Sequence, residues 1–457
     1  MPDGQEYGNG SSPKYLVESL VQFYEAAGVL KIPEARALAK RRAAEIQKFA
    51  SPYPFYGWRR GPQGALEQEE SAIVRRQRCL LLQLLHRQRA DLPPEGPLPR
   101  SVPLPTGALR PSSLLLLLPD CCAQGPGLLN PAAVGGPLQK FKATLAFAVS
   151  ILHRACWQAP PLAAALGETF QGHLQGPHPA RRVHLGGPLG GWLVYAEQTG
   201  VLPPTTLICL SDSGAHLQIW GHMSFSTYYQ KNRCVVSVGG KVTVSFAGEG
   251  PYSFSLPKLH IQGLLWGPRL FYWQGPLHVE GPGLACTLTI GPPGGPLRSS
   301  EGAFIPQCPL DEVFGQVVQK DSQQKEAEGA VGKPQEGSSQ VLGVITGSYT
   351  DRIFWNGEEI WNVCTPQSFS LLPVPDEEAL PIDSRFRPEG LLLSLGYEEM
   401  ANRLRQKALQ REEADMALRD SRGDTHPKPT CGEVPSEGTF LEAPVHSAPE
   451  LTPRARA

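Results

Sequence analysis

The fold is decided by a series of short strand-like runs between residues 192 and 290, which begins with Gly191-Trp-Leu-Val-Tyr195 and Leu217-Gln-Ile-Trp220. The series continues with Val235-Val-Ser-Val238, Lys241-Val-Thr-Val-Ser-Phe246, Leu270-Phe-Tyr-Trp273 and Ala285-Cys-Thr-Leu-Thr-Ile290. Glycine and proline separate the runs, and β-branched and aromatic residues fill them, which is typical of strands joined by tight turns. The pattern therefore predicts a large antiparallel sheet or barrel.

Helical patterns stand on both sides of this region, and the sheet together with separate helices makes the fold class α+β. The predicted helices are two within residues 14–50 and one each over residues 66–90, 137–157 and 398–420. In the helix from Leu66 to about Ala90, apolar residues such as Leu84 and Leu85 share one face and arginines flank it. Such a helix either packs on its own domain or attaches to an anionic membrane surface.

The chain of 457 residues, 41% of them hydrophobic, has room for one large domain with appendages. We divide it into an N-terminal helical extension over residues 1–92, a central domain over 93–420 and a tail over 421–457. The tail is rich in Pro, Ser and Glu without periodicity, so it is predicted to be disordered. The polar stretch 319–340 predicts a flexible loop inside the central domain.

Composition excludes several classes of function. The formal net charge is -1, so no nucleic-acid partner is expected. The ten cysteines lack metal-ligand spacing, and no nucleophile can be assigned a His–carboxylate pair, so we expect no metal, no cofactor and no enzyme. The N-terminus lacks a secretory signal and the apolar run Leu114–Leu118 is too short to cross a bilayer, which predicts a cytoplasmic protein.

Four separated motifs carry a resemblance to a known family. They are the proline-rich stretch 100–114, Ala146-Phe-Ala-Val-Ser150 with Leu166-Gly-Glu-Thr-Phe170, Glu197-Gln-Thr-Gly-Val-Leu-Pro-Pro204 with Ile219-Trp-Gly221, and Leu380-Pro-Ile-Asp-Ser-Arg-Phe-Arg-Pro388. In this order and spacing they resemble the lipid-binding domain of the oxysterol-binding-protein-related family. The third motif stands where that family has EQVSHHPP followed by FWG, and the fourth where it has LPPTDSRLRPD.

The resemblance implies a large antiparallel, near-closed β-barrel with an N-terminal lid and a C-terminal helical subdomain. In the family, this barrel holds one sterol or phospholipid and no bond is made or broken. An apolar wall suits such a ligand because burial of apolar surface drives it out of water. Apolar residues that flank the motifs are the candidates for the pocket: Leu162, Leu166, Trp192, Tyr195 and Trp220.

Many members of the family also bind phosphatidylinositol 4-phosphate, and the ligands of its headgroup are not matched in this chain. The family's paired histidines fall on Val201 and Leu202, whose side chains donate no hydrogen bond. The other family ligands are likewise replaced, at two positions before Leu166, at one position after Ile219-Trp-Gly221 and at three positions on the last helix. The degenerate headgroup positions are Pro160, Ala163, Val201, Leu202, His222, Arg405, Leu409 and Glu413.

The alignment of the last helix has two solutions. The first places Arg405, Leu409 and Glu413 where the family has Lys, Glu and Arg, and a two-residue shift places Lys407, Arg411 and Asp415 there. In either alignment an acidic residue stands at the family's final arginine. A phosphate group needs cations or oriented donors, so the sequence predicts a domain that has lost this headgroup site.

Two functions remain open from the sequence. The first is a lipid-binding and lipid-transfer protein that keeps an apolar lipid in its barrel, with sterol as the expected ligand class, and attaches peripherally to intracellular membranes through its basic N-terminal helices. The second is an interaction protein that uses a degenerate lipid-binding fold as a scaffold for a protein partner. A fold can outlive its binding site, so the motifs alone do not separate the two.

Overall fold

A computed structural model of the chain describes residues 58–60, 64–68, 72–87, 95–97, 104–155, 159–176, 191–212, 214, 216–292, 297–298, 304–305, 309–320, 340–363 and 369–422. Helices α1 to α6 are Ala72–Arg87, Leu114–Cys121, Gly125–Ala132, Pro137–Arg154, Pro388–Ser394 and Glu398–Arg422. Short 3-10 helices lie at Thr106–Ala108 and Ser384–Phe386.

Strands β1 to β20 follow the chain in order. They are Trp58–Arg60, Leu66–Gln68, Glu95–Pro97, Thr169–Gln175, Trp192–Val201, Pro204–Asp212, Leu217–Gln230, Arg233–Gly239, Val242–Phe246, Tyr252–Phe254, Lys258–Gln262, Arg269–Gly281, Leu284–Ile290, Leu297–Arg298, Phe304–Ile305, Glu312–Gln319, Val341–Ser348, Arg352–Trp355, Glu358–Asn362 and Ser370–Pro373. Strands β14 and β15 pair with each other, and the other eighteen form one sheet whose pairings are antiparallel.

The large sheet is a meander that bends over itself. From one edge the order is β20, β4, β5, β6 and β7, then β8 with β9, β11 with β10, and finally β12, β13, β16, β17, β18 and β19. Strands β8 and β9 lie end to end along β7, with Ser224 opposite Gly239 and Gly221 opposite Val242. Gly240 makes the break between them at φ +91°, where an added Cβ would meet the His222 carbonyl oxygen at 2.0 Å. Only glycine fits this bend.

The curvature brings the sheet round without closing it by hydrogen bonds. Among the described residues, no pairing joins the two edge strands β19 and β20. The predicted α+β fold with a large antiparallel, near-closed sheet is therefore confirmed, and it differs from a true barrel in this open seam. The seam lies beside α3 and its N-terminal flank, where the Trp361 indole donates to Gln124 and the Phe369 amide donates to the Ala123 carbonyl.

Helix α4 fills part of the interior, which explains why its sequence is apolar on nearly all sides. The Phe147 ring packs edge-on against Phe254 of β10 with ring centres 5.7 Å apart. The Trp273 indole of β12 donates to the Leu152 carbonyl at 2.8 Å, and at the N-terminal end Lys140 pairs with Glu249 at 2.6 Å. The helix predicted over residues 137–157 thus occupies Pro137–Arg154 inside the curved sheet.

The N-terminal region, predicted to be helical, also contains the short strands β1 and β2, which pair with each other and belong to the large sheet. The helix expected to begin at Leu66 begins at Ala72, and Leu66–Gln68 is strand β2, paired with Arg269–Phe271 of β12. Strand β13 pairs with β12 only from Gly275 onward, so β2 satisfies a strand edge that would otherwise be bare.

Several predictions fall outside the described residues: the helices over 14–50, residues 321–339 of the predicted loop and residues 423–457 of the predicted tail. The charged helix predicted over 398–420 is α6, which ends at Arg422. Within the described ranges, no helix is both long enough and apolar enough to span a membrane.

Candidate functional site

A cavity of about 360 Å³ lies between α1, α2, the end of α4 and the sheet. This volume falls in the range of about 300–1,000 Å³ that is typical of small-molecule sites. The apolar part of the wall comes from six parts of the chain: Leu81, Leu84 and Leu85 of α1; Leu104, Ala108, Leu114 and Leu118 around α2; Ile151 and Ala155 at the end of α4; Ala159, Pro160 and Pro161 after it; Ile208 of β6; and Met223, Phe225, Val236, Val238, Val242, Leu256, Leu259, Ile261, Leu264, Leu265, Phe271 and Trp273 of β7 to β12.

Strand alternation supplies most of this wall, since successive side chains of a strand point to opposite faces. On β7 the lining residues are Met223, Phe225, Thr227 and Tyr229, and on β8 they are Cys234, Val236 and Val238. All residues of β8 are half-buried, as expected for a strand with one face on solvent and one on an open cavity. The same alternation that predicted the sheet therefore builds the cavity.

Helix α1 covers the cavity and is fixed along both of its edges. On one edge the Arg78 guanidinium donates to the carbonyls of Gly263, at 3.3 Å, and Gly267 in the β11–β12 loop. On the other edge Arg76 pairs with Glu398 at the start of α6, at 2.5 Å. The apolar face predicted for this helix thus packs on its own domain through Leu84 and Leu85, whereas Cys79 of the same helix is exposed.

Few polar groups reach the cavity. Gln77 of α1 and Arg269 of β12 are both buried, and the Arg269 guanidinium donates to the Gln77 side-chain oxygen and to the Leu264 carbonyl. Burial raises the pKa of the Cys122 and Cys234 thiols to about 12, so both stay neutral. Such a wall suits a ligand that is apolar over most of its length and carries one small polar group.

The five predicted pocket residues lie outside this cavity as the described residues line it. Trp192 is buried in the packed core, and Tyr195 donates its hydroxyl to Glu197 at 2.8 Å on the other face of β5. Trp220 is half-buried on β7, three residues before Met223, so its side chain lies on the opposite face of the strand from the lining residues. Leu162 is buried beside Ser113, and Leu166 lies half-buried in the turn before β4.

The structure divides the degenerate headgroup positions between two neighbouring places. The first is the end of the β5–β6 hairpin, where Val201 is half-buried and the Leu202 side chain is 64% exposed. His222 lies near it on β7, and its Nε2 is 2.7 Å from the Thr199 hydroxyl. Burial lowers the pKa of His222, so its ring is neutral at pH 7. Val201, Leu202 and the neutral His222 therefore provide no positively charged side chain that could bind a phosphate group here.

The second place lies between the segment after α4 and the C-terminal helices. Pro160 is exposed at the cavity and Ala163 is exposed beside it. Arg405 of α6 donates to the Leu104 carbonyl, and burial lowers its pKa. Leu409 is half-buried and Glu413 is exposed. Glu413 lies about 12 Å along the helix from Arg405, because each residue of a helix rises about 1.5 Å.

The cation nearest to Ala163 already has carboxylate partners. Arg387 donates to the Ala163 carbonyl, and it pairs with Glu168 at 3.3 Å and with Glu389. Burial raises the pKa of Glu168 to about 7, against the opposing influence of Arg387. Sequence analysis missed this buried group, although Arg387 and Glu168 both belong to the quoted motifs.

No group of three or more His, Cys, Asp or Glu side chains in the described part of the chain is arranged to hold a metal ion. The geometry offers an enclosed apolar space, a helix across it and neutral walls. These features define a domain built around an enclosed apolar space.

The comparisons with known proteins agree with this class. The family profile described as oxysterol-binding protein matches residues 100–429, and the chain therefore belongs to the oxysterol-binding protein family. Oxysterol-binding protein 9 of Dictyostelium discoideum is 26% identical over 313 residues, which are 68% of this chain and 68% of that protein.

Two solved structures show the same fold. The Osh3 ORD of Saccharomyces cerevisiae, in complex with PI(4)P, has a TM-score of 0.52 at 17% identity and covers 76% of this chain and 86% of its own. The Osh1 ORD domain, in complex with cholesterol, has a TM-score of 0.53 at 14% identity and covers 78% of this chain and 91% of its own. Identity at this level supports the fold alone.

Proposed function

We propose that this chain binds one apolar lipid, with a sterol as the expected ligand class, and carries it between intracellular membranes. The observation that carries the proposal is the cavity of about 360 Å³ with its almost wholly apolar wall. Removal of apolar surface from water stabilises a bound lipid by about 25 cal/mol per Å². The polar side chains of the lining are Gln77, Thr227, Tyr229 and Arg269, and the lipid's polar end would lie beside them.

The proposal includes loss of the phosphatidylinositol 4-phosphate headgroup site. Two observations support it: the family's histidine positions hold Val201 and Leu202, and Arg387 is engaged by Glu168 and Glu389. A headgroup placed beside these carboxylates would meet like charge. Each missing charge-assisted hydrogen bond removes about 1.5–3 kcal/mol, so two or three together abolish useful affinity.

The site of action that fits this function is the cytoplasm, with peripheral contact to membranes. A carrier must take its lipid from a bilayer and release it to another, so the cavity must open near a membrane surface. The basic N-terminal helices are the proposed attachment, and α1 is the one among them that the structure describes. No enzyme activity is part of this proposal.

The test is to purify the full chain, extract it with organic solvent and identify the lipid by mass spectrometry. One sterol or other largely apolar lipid per chain is expected. The same preparation is titrated with vesicles that contain phosphatidylinositol 4-phosphate or the same vesicles without it, and no difference in binding is expected. Saturable, headgroup-dependent binding would refute loss of the site.

A reproducibly empty chain would refute lipid carriage and favour the scaffold. To make an empty result informative, a fluorescent sterol is added to the purified chain and its binding measured directly. If the chain neither retains a lipid nor binds the added sterol, the proposal that it carries lipid in this cavity is refuted.

A further inference from the structure

The β11–β12 loop presents an exposed tryptophan at the rim of the cavity. The loop reads Gly263-Leu-Leu-Trp-Gly267, and Leu264 and Leu265 line the cavity. The next residue, Trp266, is 60% exposed. Large aromatic side chains rarely stay in water without a reason, and an indole with an apolar body and a polar N–H is suited to a boundary between water and hydrocarbon.

This loop is held rigidly in place by one asparagine. The Asn232 side-chain oxygen accepts from the amides of Leu265 and Trp266 at 2.7 and 3.2 Å, and its side-chain nitrogen donates to the Trp266 carbonyl at 2.9 Å. The Asn232 carbonyl also accepts from the Gly263 amide at 3.1 Å. The backbone that carries the exposed indole is therefore fixed in advance, and little backbone conformational entropy is lost when it docks.

Cations surround the loop on the side of α1. Arg78 of α1 donates to the carbonyls of Gly263 and Gly267. Residues three and four apart on a helix are neighbours, so Arg75 and Leu82 lie on the same edge as Arg78, and both are exposed. Lys231, next to the clamping Asn232, is exposed as well. We call Arg75, Leu82, Lys231 and Trp266 the rim surface.

We propose that the rim surface docks on an anionic lipid bilayer, with Trp266 inserted at the interface and Arg75 and Lys231 against lipid phosphates or carboxylates. Charge complementarity favours an anionic bilayer, since the exposed apolar residues Leu82 and Trp266 are flanked by the cations Arg75 and Lys231. Continuity with the cavity supports it too, because Leu264 and Leu265 line the cavity and a lipid leaving past them would emerge where the indole enters the bilayer. The inference rests on the proposed lipid-binding function and specifies where it meets the membrane.

The test uses the full chain and vesicles of phosphatidylcholine with or without phosphatidylserine in a flotation assay. Trp266→Ala should bind the anionic vesicles about tenfold less strongly. The matched control is Phe314→Ala, since Phe314 is an exposed aromatic residue of β16, 51% exposed, and should bind as the wild type does.

Charge reversal tests the second half of the surface. Arg75→Glu and Lys231→Glu should each weaken binding to anionic vesicles by about fivefold or more and leave the weak binding to neutral vesicles unchanged. Arg411→Glu is the control, because Arg411 is exposed on α6, thirteen residues beyond Glu398, where that helix pairs with Arg76 of α1. Binding by the wild type should also fall as salt concentration rises.

The lipid content of each variant, measured by mass spectrometry, separates the two proposals. A Trp266→Ala chain that keeps its lipid but loses vesicle binding supports the rim surface. Equal vesicle binding by Trp266→Ala and wild type would overturn it, whatever the lipid content. Loss of lipid and vesicle binding together would also overturn it, because the indole would then act through the cavity.

Discussion

A carboxylate placed inside the cavity should exclude an apolar ligand, and β8 offers a site for the test with its own control. Val236 lines the cavity and Ser237, the next residue, faces away from it. We compare Val236→Asp with Ser237→Asp. Both residues are half-buried, and Val236 borders open space, so an aspartate there can stay hydrated until a lipid displaces its water. The fold should survive both changes.

In Val236→Asp, the loss of sterol-binding free energy caused by the carboxylate cannot exceed the free energy needed to protonate it. An ordinary aspartate has a pKa of about 3.9, so protonating it at pH 7 costs roughly 3 units at about 1.36 kcal/mol each, or about 4 kcal/mol. Leaving the carboxylate charged in a dry site costs several kcal/mol, which makes protonation the cheaper course. Val236→Asp should therefore lower the affinity for a sterol by about 100- to 1,000-fold at pH 7.

The assay is a titration with a fluorescent sterol, with circular dichroism as the check on folding. At pH 5 the protonation cost falls to about 1.5 kcal/mol, so the deficit of Val236→Asp should shrink to about tenfold. Ser237→Asp should bind as the wild type does at both pH values. If Val236→Asp is folded and binds sterol as tightly as Ser237→Asp, the sterol does not occupy this cavity.

Three further predictions concern the groups that hold the site together. Burial raises the pKa of Glu168 from 4.5 to about 7. Its contribution to the free energy of unfolding therefore falls by up to about 3 kcal/mol as the pH rises from about 4.5 to above 7. Glu168→Gln should remove this fall. Urea unfolding between pH 4.5 and 8 measures it. Arg387→Ala should lower the free energy of unfolding by about 3–5 kcal/mol, because Glu168 and Glu389 lose their cation, and Arg387→Lys should recover only part. Trp273→Phe should lower it by about 1–3 kcal/mol, since the bond to the Leu152 carbonyl is lost, as thermal denaturation will report.

Each of these has an outcome that contradicts its reasoning. If Glu168→Gln and wild type show parallel stability curves across that pH range, the buried carboxyl does not titrate there. If Arg387→Ala is as stable as the wild type, water replaces the guanidinium beside the two carboxylates. If Trp273→Phe unfolds at the same temperature, the indole bond to α4 is not a net stabilising contact.

The strand series could be predicted from the sequence because alternation has a physical period. The quoted runs fall within β5, β7, β8, β12 and β13, and the run from Lys241 fills β9. The bends could not be predicted in the same way, since a break such as that at Gly240 depends on the close approach of the His222 carbonyl from another strand.

The pocket residues were harder to predict, because a packed core and an open cavity select the same side chains. Trp192 was chosen as apolar and close to a motif, and the structure buries it against other side chains in the core. Val236 has the same apolar character and faces open space. The difference lies in what stands opposite each strand, either helix α2, which packs on β5, or the cavity, and this depends on the curvature of the whole sheet rather than on local sequence.

Helix α1 covers the cavity, yet it ends before residue 100, where the match to the family profile begins. The part of the chain that the family profile matches is therefore shorter than the part that encloses the cavity, which includes α1. A fragment that begins at residue 100 would keep every family motif but would lack Leu81, Leu84 and Leu85 of α1, so the cavity would be open to solvent on that side. Such a fragment should self-associate or bind detergent through its exposed apolar surface. Lipid affinities measured on it would report an open cavity and not the covered cavity of the protein.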